Sequence, residues 1–138
     1  NVVPGEVFFT VDLRHPDETV LDRMEADYKA ALPKIAEELG VELDEKRIWI
    51  SPAVKFAAPL IDCVREGAAQ AGYSTREMAS GAGHDAAYIA RVAPTTMIFV
   101  PCLGGISHNE AESTTFDECG AGSQVLLNAV LEYDQKFA

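Results

Sequence analysis

The sequence predicts an α/β fold, and three observations point to this class. Segments with strand character alternate with amphipathic segments, as they do where helices cover the faces of a sheet. Residues 95–101, TTMIFVP, form a continuous apolar run that is typical of a strand covered on both faces. Beyond residue 53 the predicted order is helix, strand, helix, strand, helix, which indicates crossover helices between strands of a common sheet.

Four segments are predicted to be strands. The first follows Pro4-Gly5 and is rich in β-branched and aromatic side chains, among them Val7, Phe9 and Val11. The predicted strands are residues 6–13, 47–51, 73–79 and 95–101.

Four further segments are predicted to be helices, from apolar side chains at helical spacing and from signals at their ends. In the first, Asp17 falls in the opening turn, Gly40 closes the helix, and Pro33 kinks or splits it. In the last, Thr115 and Glu118 have the spacing of a capping box. The predicted helices are residues 17–39, 56–71, 86–91 and 115–133.

A domain boundary is predicted at Ser51-Pro52, which divides the chain into residues 1–52 and 53–138. The first part has two predicted strands and one helix, and so few elements bury little apolar surface alone. We therefore expect residues 1–52 to be half of a small α+β domain and residues 53–138 to be part of an α/β domain.

The composition excludes several classes of partner. The net charge is −11 and no basic stripe is visible, which argues against nucleic-acid binding. No apolar run is long enough to span a bilayer, which argues against a membrane partner, and the opening NVVPGEVFF lacks the pattern of a signal peptide. The three cysteines are far apart and favour a reducing compartment, hence the cytoplasm. Cys63 and Cys102 lie in apolar segments, so we expect both to pack in the core.

Two loops, each following a predicted strand of the second part, are candidate sites. The first is SGAGHD, Ser80 to Asp85, in which glycines allow a ligand to approach the backbone beside His84. An ordinary helix start, with Asp85 as the capping residue and His84 at the surface, explains this pattern equally well.

The second loop, GGISHNEAE, carries His108 after a predicted buried strand. This histidine could ligate a metal ion, with Asn109, Glu110 or Glu112 as supporting partners. Zinc needs three or four ligands, however, and a lone loop histidine is more often structural or exposed. His84 and His108 at the ends of neighbouring strands are together a modest indication of a shared site.

Arg14, in VDLRHP at the end of the first predicted strand, is a third candidate. A guanidinium group can hold a carboxylate through two parallel hydrogen bonds. From the sequence alone a surface salt bridge is the more frequent explanation. His15 points to the opposite face of a strand and receives no role.

At these residues the chain resembles a known family. The segments NVVPGEVFFTVDLRHPD and MASGAGHDAAYIARVAPTTMIFVPCLGGISHNEAE, with the closing helix, are similar to the C-terminal third of N-carbamoyl-L-amino-acid hydrolases. This group includes β-ureidopropionase and allantoate amidohydrolase, within the M20 metallopeptidase-like superfamily. The resemblance implies that residues 53–138 belong to an M20-type catalytic domain, a mixed sheet with flanking helices. Residues 1–52 would be the second half of a lid or dimerisation domain.

The resemblance also implies roles for particular residues. His108 corresponds to a ligand of a two-metal centre, and His84 to a catalytic residue that binds substrate and stabilises the tetrahedral oxyanion. Gly83 would offer a backbone contact to the substrate. Asn1 and Arg14 would hold the substrate carboxylate from the lid domain, and in the family's homodimer such residues can serve the partner's site.

The implied activity is hydrolysis of the carbamoyl C–N bond of a small-molecule ureido acid, an N-carbamoyl-L-amino acid, giving the amino acid, carbon dioxide and ammonia. Two divalent metal ions (zinc, manganese, cobalt or nickel) would lower the pKa of a bridging water. The family's catalytic glutamate, bridging aspartate and remaining ligands have no counterpart in this sequence. We therefore expect this chain alone neither to bind the metals tightly nor to turn over substrate.

Other functions stay open at this stage. Allantoate or ureidoglycolate amidohydrolase activity is the nearest alternative, because that group shares both loops. A non-catalytic dimerisation or binding module is another, although the second part of the chain would then expose much apolar surface. A generic α/β domain is disfavoured by the joint presence of both loops and the NVVPG and DLRH segments.

Overall fold

The computed structural model describes residues 1–137 and divides the chain into two compact units, Asn1–Ala53 and Val54–Ala138. The first unit contains helix α1, Glu18–Leu39. The second contains α2 (Ala58–Gln70), α3 (Asp85–Ile89), a short 3-10 helix (Leu103–Gly105) and α4 (Phe116–Phe137). The predicted helices are thus confirmed, with ends that differ by a few residues. Their assignment to a lid domain and a catalytic domain stays a prediction.

Helix α1 lies between two capping signals. The Asp17 carboxylate accepts a hydrogen bond from the Thr19 N–H at 2.9 Å, so Asp17 caps the helix from outside rather than lying in its first turn. Gly40 ends the helix in a left-handed conformation, with a φ of 64°. Pro33 was expected to kink or split the helix, and the split is wrong because α1 continues through this residue. A proline removes one backbone hydrogen bond while the adjacent turns keep theirs.

Helices α2 and α4 pack against each other and form the core of the second unit. Pro59 lies in the first turn of α2, where a missing N–H costs nothing, and Gly72 follows the end of the helix with a φ of 77°. The buried residues of this helix pair are mostly small, which lets the two backbones approach closely; they are Cys63, Gly67 and Ala68 on α2, and Val125 and Ala129 on α4.

The two helices approach each other closely at Gly67. A Cβ atom at this position would lie 2.9 Å from the Ala129 nitrogen and 3.1 Å from the Val125 carbonyl oxygen. The Asn128 amide donates a hydrogen bond from Nδ2 to the Gly67 carbonyl at 2.9 Å. This crossing therefore requires glycine on α2 and is held by a polar contact from α4.

Helix α4 begins at the predicted capping box, which the structure confirms. The Glu118 carboxylate accepts the Thr115 N–H at 2.9 Å, and the Thr115 hydroxyl accepts the Glu118 N–H at 3.2 Å. The pKa of Glu118 is lowered, first by the Thr115 N–H and then by the hydroxyls of Thr115 and Thr114.

No β-strand is present among residues 1–137, so the predicted sheet is not confirmed. The segments predicted as strands, residues 6–13, 47–51, 73–79 and 95–101, have no regular secondary structure. A strand requires a neighbour that completes its ladder of backbone hydrogen bonds, and a local apolar pattern cannot supply one. Cys102, expected in the core beside the last of these segments, is half-buried, whereas Cys63 is buried as predicted.

An open apolar groove lies beside the helix pair of the second unit. Its volume is about 600 Å³, and its lining includes Leu60, Val64, Ile98, Val100, Leu126 and Val130. Gly122 of α4 borders the segment 96–100 so tightly that a Cβ atom there would lie 2.6 Å from Val100 Cγ1.

Across the part of the chain that the structure describes, no helix is long and apolar enough to cross a membrane.

Candidate functional site

His84 lies where the SGAGHD loop enters α3. It occupies the residue before the helix, with φ −135° and ψ 149°, and its ring makes no capping bond. The imidazole Nε2 is 2.7 Å from the Ser80 hydroxyl, and that hydroxyl accepts the Ala82 N–H at 3.2 Å. The loop therefore folds back on itself through Ser80, a residue that the sequence analysis did not single out.

A second contact positions the His84 ring. The imidazole and the Phe99 ring pack in a T-shaped arrangement, with centroids 5.6 Å apart and an interplanar angle of 62°. The side chain is half-buried as a result. Gly83 beside it is open, since a Cβ atom there would meet nothing within 4 Å in this chain. Its predicted backbone contact with substrate stays a prediction.

His108 adopts an uncommon backbone conformation. Its φ is 57°, in the left-handed region that few residues other than glycine occupy. The Glu112 carboxylate accepts the His108 N–H at 2.7 Å, and the imidazole Nδ1 is 2.5 Å from the Ser107 hydroxyl. The other oxygen of Glu112 lies 3.8 Å from the Cys102 sulfur. Glu112 thus links the His108 backbone to Cys102, which lies just before the loop.

Both histidine loops contact the segment 98–102. Phe99 packs against His84, and a cavity of about 400 Å³ is lined by Phe99, Cys102 and Glu112, the residue that holds the His108 backbone. The structure therefore places the two candidate loops along one short segment of the second unit. In each loop a side chain four residues from the histidine makes the supporting contact. Glu112 was among the partners expected for His108, whereas Ser80 was not singled out for His84.

The donor set of this chain does not by itself form a metal site. Within residues 1–137 no group of three or more His, Cys, Asp or Glu side chains could hold a metal ion. A structural or catalytic zinc site takes at least three protein ligands. His108 is thus a single candidate ligand, and no catalytic step through a metal ion can be derived from these residues alone.

Arg14 forms an ion pair within its own loop. Its Nε lies 3.0 Å from both carboxylate oxygens of Asp12, and both side chains are more than half exposed. The hydrogen bond from Arg14 lowers the pKa of Asp12. This surface pair is the alternative considered above, and a role with substrate stays a prediction, as it does for the exposed Asn1. His15, which received no role, accepts the Asp17 N–H through Nδ1 at 3.0 Å.

The chain matches the model of a known protein family over nearly its whole length. Residues 4–132 match peptidase family M20/M25/M40. The chain therefore belongs to this family, and the resemblance stated above is confirmed. Family membership fits the predicted α/β class, although the sheet itself is not formed by the described residues.

Particular relatives are amidohydrolases. The chain is 50% identical over 132 residues to an N-carbamoyl-L-amino-acid amidohydrolase of Rhizobium meliloti, covering 96% of this chain and 32% of that protein. It is 37% identical over 131 residues to an allantoate amidohydrolase of Escherichia coli K12, covering 91% and 31% respectively. The chain thus spans about a third of the length of the curated relatives that it matches.

A solved structure gives the same classification. The crystal structure of an amidase of the hydantoinase/carbamoylase family from Burkholderia multivorans superposes with a TM-score of 0.80 and 46% sequence identity. The superposition covers 85% of this chain and 28% of that one.

Proposed function

We propose that this chain carries part of the active site of a metal-dependent amidohydrolase that hydrolyses the carbamoyl C–N bond of N-carbamoyl-L-amino acids. The observation that carries the proposal is the placement of the His84 and His108 loops along one segment, in a chain 50% identical to such an enzyme. A small-molecule site needs a few placed polar groups, and the two loops supply candidates for them.

Each candidate residue has a distinct task in this proposal. His84 donates a hydrogen bond to the carbonyl oxygen as it becomes negative, which favours the transition state over the ground state. His108 is one ligand of a two-metal centre (zinc, manganese, cobalt or nickel), whose other ligands lie outside this chain. Gly83 gives a backbone contact, and Arg14 and Asn1 hold the substrate carboxylate, for which Arg14 either releases Asp12 or uses its further N–H groups.

A hybrid enzyme tests the proposal. In it, this chain replaces the matching residues of the Rhizobium meliloti relative, to which it aligns over 132 residues. With Mn²⁺ added, we expect ammonia release from N-carbamoyl-L-methionine well above background. The chain alone, at 138 residues, should stay at background because most of the metal ligands are missing.

Substitution of each of this chain's three histidines separates their roles within the hybrid, and His15→Ala is the control. His84→Ala should lower kcat by about 10²–10³, the range for loss of an oxyanion donor. His108→Ala should lower the bound metal measured by elemental analysis. His15→Ala should change neither, since that ring contacts the backbone of Asp17. A folded hybrid that is inactive on every ureido substrate would contradict the proposal.

Allantoate amidohydrolase activity is the second candidate, favoured by the 37% identity to the Escherichia coli enzyme. Arg14 and Asn1 suit any substrate with a carboxylate and do not separate the two activities. Comparison of kcat/KM for allantoate, ureidoglycolate and N-carbamoyl-L-methionine in the hybrid decides between the two activities.

We further propose that the whole protein is a homodimer in the cytoplasm. Sedimentation of the hybrid would test the dimer.

A further inference from the structure

Ser80 and His84 form a hydrogen-bonded turn whose donor and acceptor roles can be worked out. A serine hydroxyl has one proton and two lone pairs. The Ala82 N–H, at 3.2 Å, uses one lone pair of Ser80 Oγ. The imidazole Nε2 lies 2.7 Å away, which is a full-strength bond length for an O–H donor.

The neutral imidazole carries its proton on one ring nitrogen. If Nε2 held it, Ser80 would accept a second hydrogen bond and its own hydroxyl proton would need another acceptor. If Nε2 is bare, the hydroxyl proton goes directly to it, and both groups are satisfied within the turn. The second arrangement pairs the hydroxyl proton of Ser80 with Nε2 of His84 inside the turn and is therefore favoured.

The contact with Phe99 holds the plane of the imidazole, and the hydroxyl of Ser80 selects between its two flipped positions. Turning the ring by 180° would leave the present centroid distance of 5.6 Å nearly unchanged but would move Nε2 away from Ser80. The hydroxyl and the aromatic ring thus act on the same side chain from two directions.

We propose that Ser80 is a positioning residue that holds the neutral imidazole of His84 with the proton on Nδ1. The Nδ1–H group then takes no part in the hydrogen bonds of the turn. It can donate to an anionic or carbonyl oxygen of a bound ureido acid. This last consequence rests on the proposed function, whereas the protonation of Nδ1 is a property of the chain itself.

Nitrogen-15 NMR of the full chain tests the proposal directly. At a pH high enough for the imidazole to be uncharged, we expect the Nδ1 of His84 at the chemical shift of a protonated nitrogen and Nε2 at that of a bare one. Ser80→Ala should move the population toward the Nε2-protonated form. Ser80→Thr, which keeps a hydroxyl, should retain the wild-type spectrum.

Ser107→Ala is the matched control, because it removes a hydroxyl from the other loop histidine, at 2.5 Å from His108 Nδ1. It should leave the His84 resonances unchanged. Circular dichroism checks that each variant keeps the helix content of the wild type. A wild-type His84 protonated on Nε2, or a spectrum that Ser80→Ala does not alter, would overturn the assignment.

Activity of the hybrid enzyme is a separate readout. We expect Ser80→Ala to lower kcat on the order of tenfold to a hundredfold with little change in KM, as for a misplaced transition-state donor, and Ser80→Thr to restore it. An inactive hybrid with the expected NMR spectrum would refute the proposed function and leave the role of Ser80 in the turn standing. An active hybrid with Nε2 protonated would do the reverse.

Discussion

At the scale of single residues, His108 shows how a side chain can hold an unfavourable backbone conformation. Its φ of 57° costs free energy for a residue with a Cβ atom, and such conformations persist where surrounding contacts determine them. The Glu112 carboxylate supplies one contact by accepting the His108 N–H at 2.7 Å. A charged acceptor makes this a strong hydrogen bond.

Glu112→Ala should therefore release the loop. We expect faster hydrogen–deuterium exchange at the His108 amide and faster cleavage of the loop by an added protease. Glu112→Gln keeps an acceptor oxygen and should show a smaller effect. Glu110→Ala removes the same charge from the same loop and should behave as wild type; an equal effect of both alanine variants would show that charge, not the hydrogen bond, matters.

The sequence indicated the candidate residues more readily than the side chains that contact them. His84 and His108 stood out because each follows a predicted strand in a loop of small and polar residues. The roles of Ser80 and Ser107 could not be predicted, because a serine hydroxyl has no preferred partner until the turn brings one within 3 Å. Arg14 shows the reverse case. The motif suggested that its guanidinium binds substrate, but in the structure this group is paired with the neighbouring Asp12.

At the scale of secondary structure, the helices were predictable because their signals are local. Caps at Asp17 and Gly40, and the box of Thr115 and Glu118, lie within four residues of the ends they define. The strands were not confirmed, because pairing is a contact between distant segments. The apolar run 95–101 defines what a strand would bury but not what it would pair with.

The cap of α4 should make helix stability depend on pH. Because the folded state lowers the pKa of Glu118 below its ordinary value of 4.5, its stabilisation is complete above that value and is lost as pH falls through the lowered pKa. Comparison of wild type with Glu118→Gln by circular dichroism during urea unfolding should show a difference at pH 7 that disappears in strong acid. A difference that persists unchanged at low pH would contradict this account.

The helix crossing gives a second prediction at this scale. Gly67→Ala should destabilise the second unit by about 1–3 kcal/mol, the range for overpacking, because its Cβ atom would meet the backbone of α4 at 2.9 Å. Gly120→Ala is the matched control, since a Cβ atom there meets nothing within 4 Å and a helical alanine is favoured by roughly 0.5–1 kcal/mol. Thermal unfolding should separate the two variants in opposite directions.

At the scale of the whole molecule, much apolar surface is left uncovered by the residues that the structure describes. The groove of the second unit is open, and the first unit leaves side chains such as Phe8, Ile48 and Trp49 largely exposed. Soluble proteins rarely keep large contiguous apolar patches exposed. This surface fits a chain that spans about a third of its relatives' length.

Trp49 reports on this surface, because it is the single tryptophan and is 74% exposed. We expect the chain alone to emit at the long wavelength of a hydrated indole and to be quenched readily by acrylamide. In the hybrid enzyme, with any tryptophan of the relative replaced by phenylalanine, the emission should shift to shorter wavelength. Emission at short wavelength from the chain alone would show that its apolar surface is already covered.

The contact of Asn128 with the Gly67 carbonyl has a consequence for how this part of the family can vary. A side chain bonded to one particular peptide group fixes the longitudinal register of α4 along α2, so neither helix can slide by a residue without losing the bond. Natural insertions and deletions should therefore be excluded from the two helices, and those that occur between them should fall outside the two histidine loops. The helix pair then keeps one register among homologues whose other connecting segments differ in length.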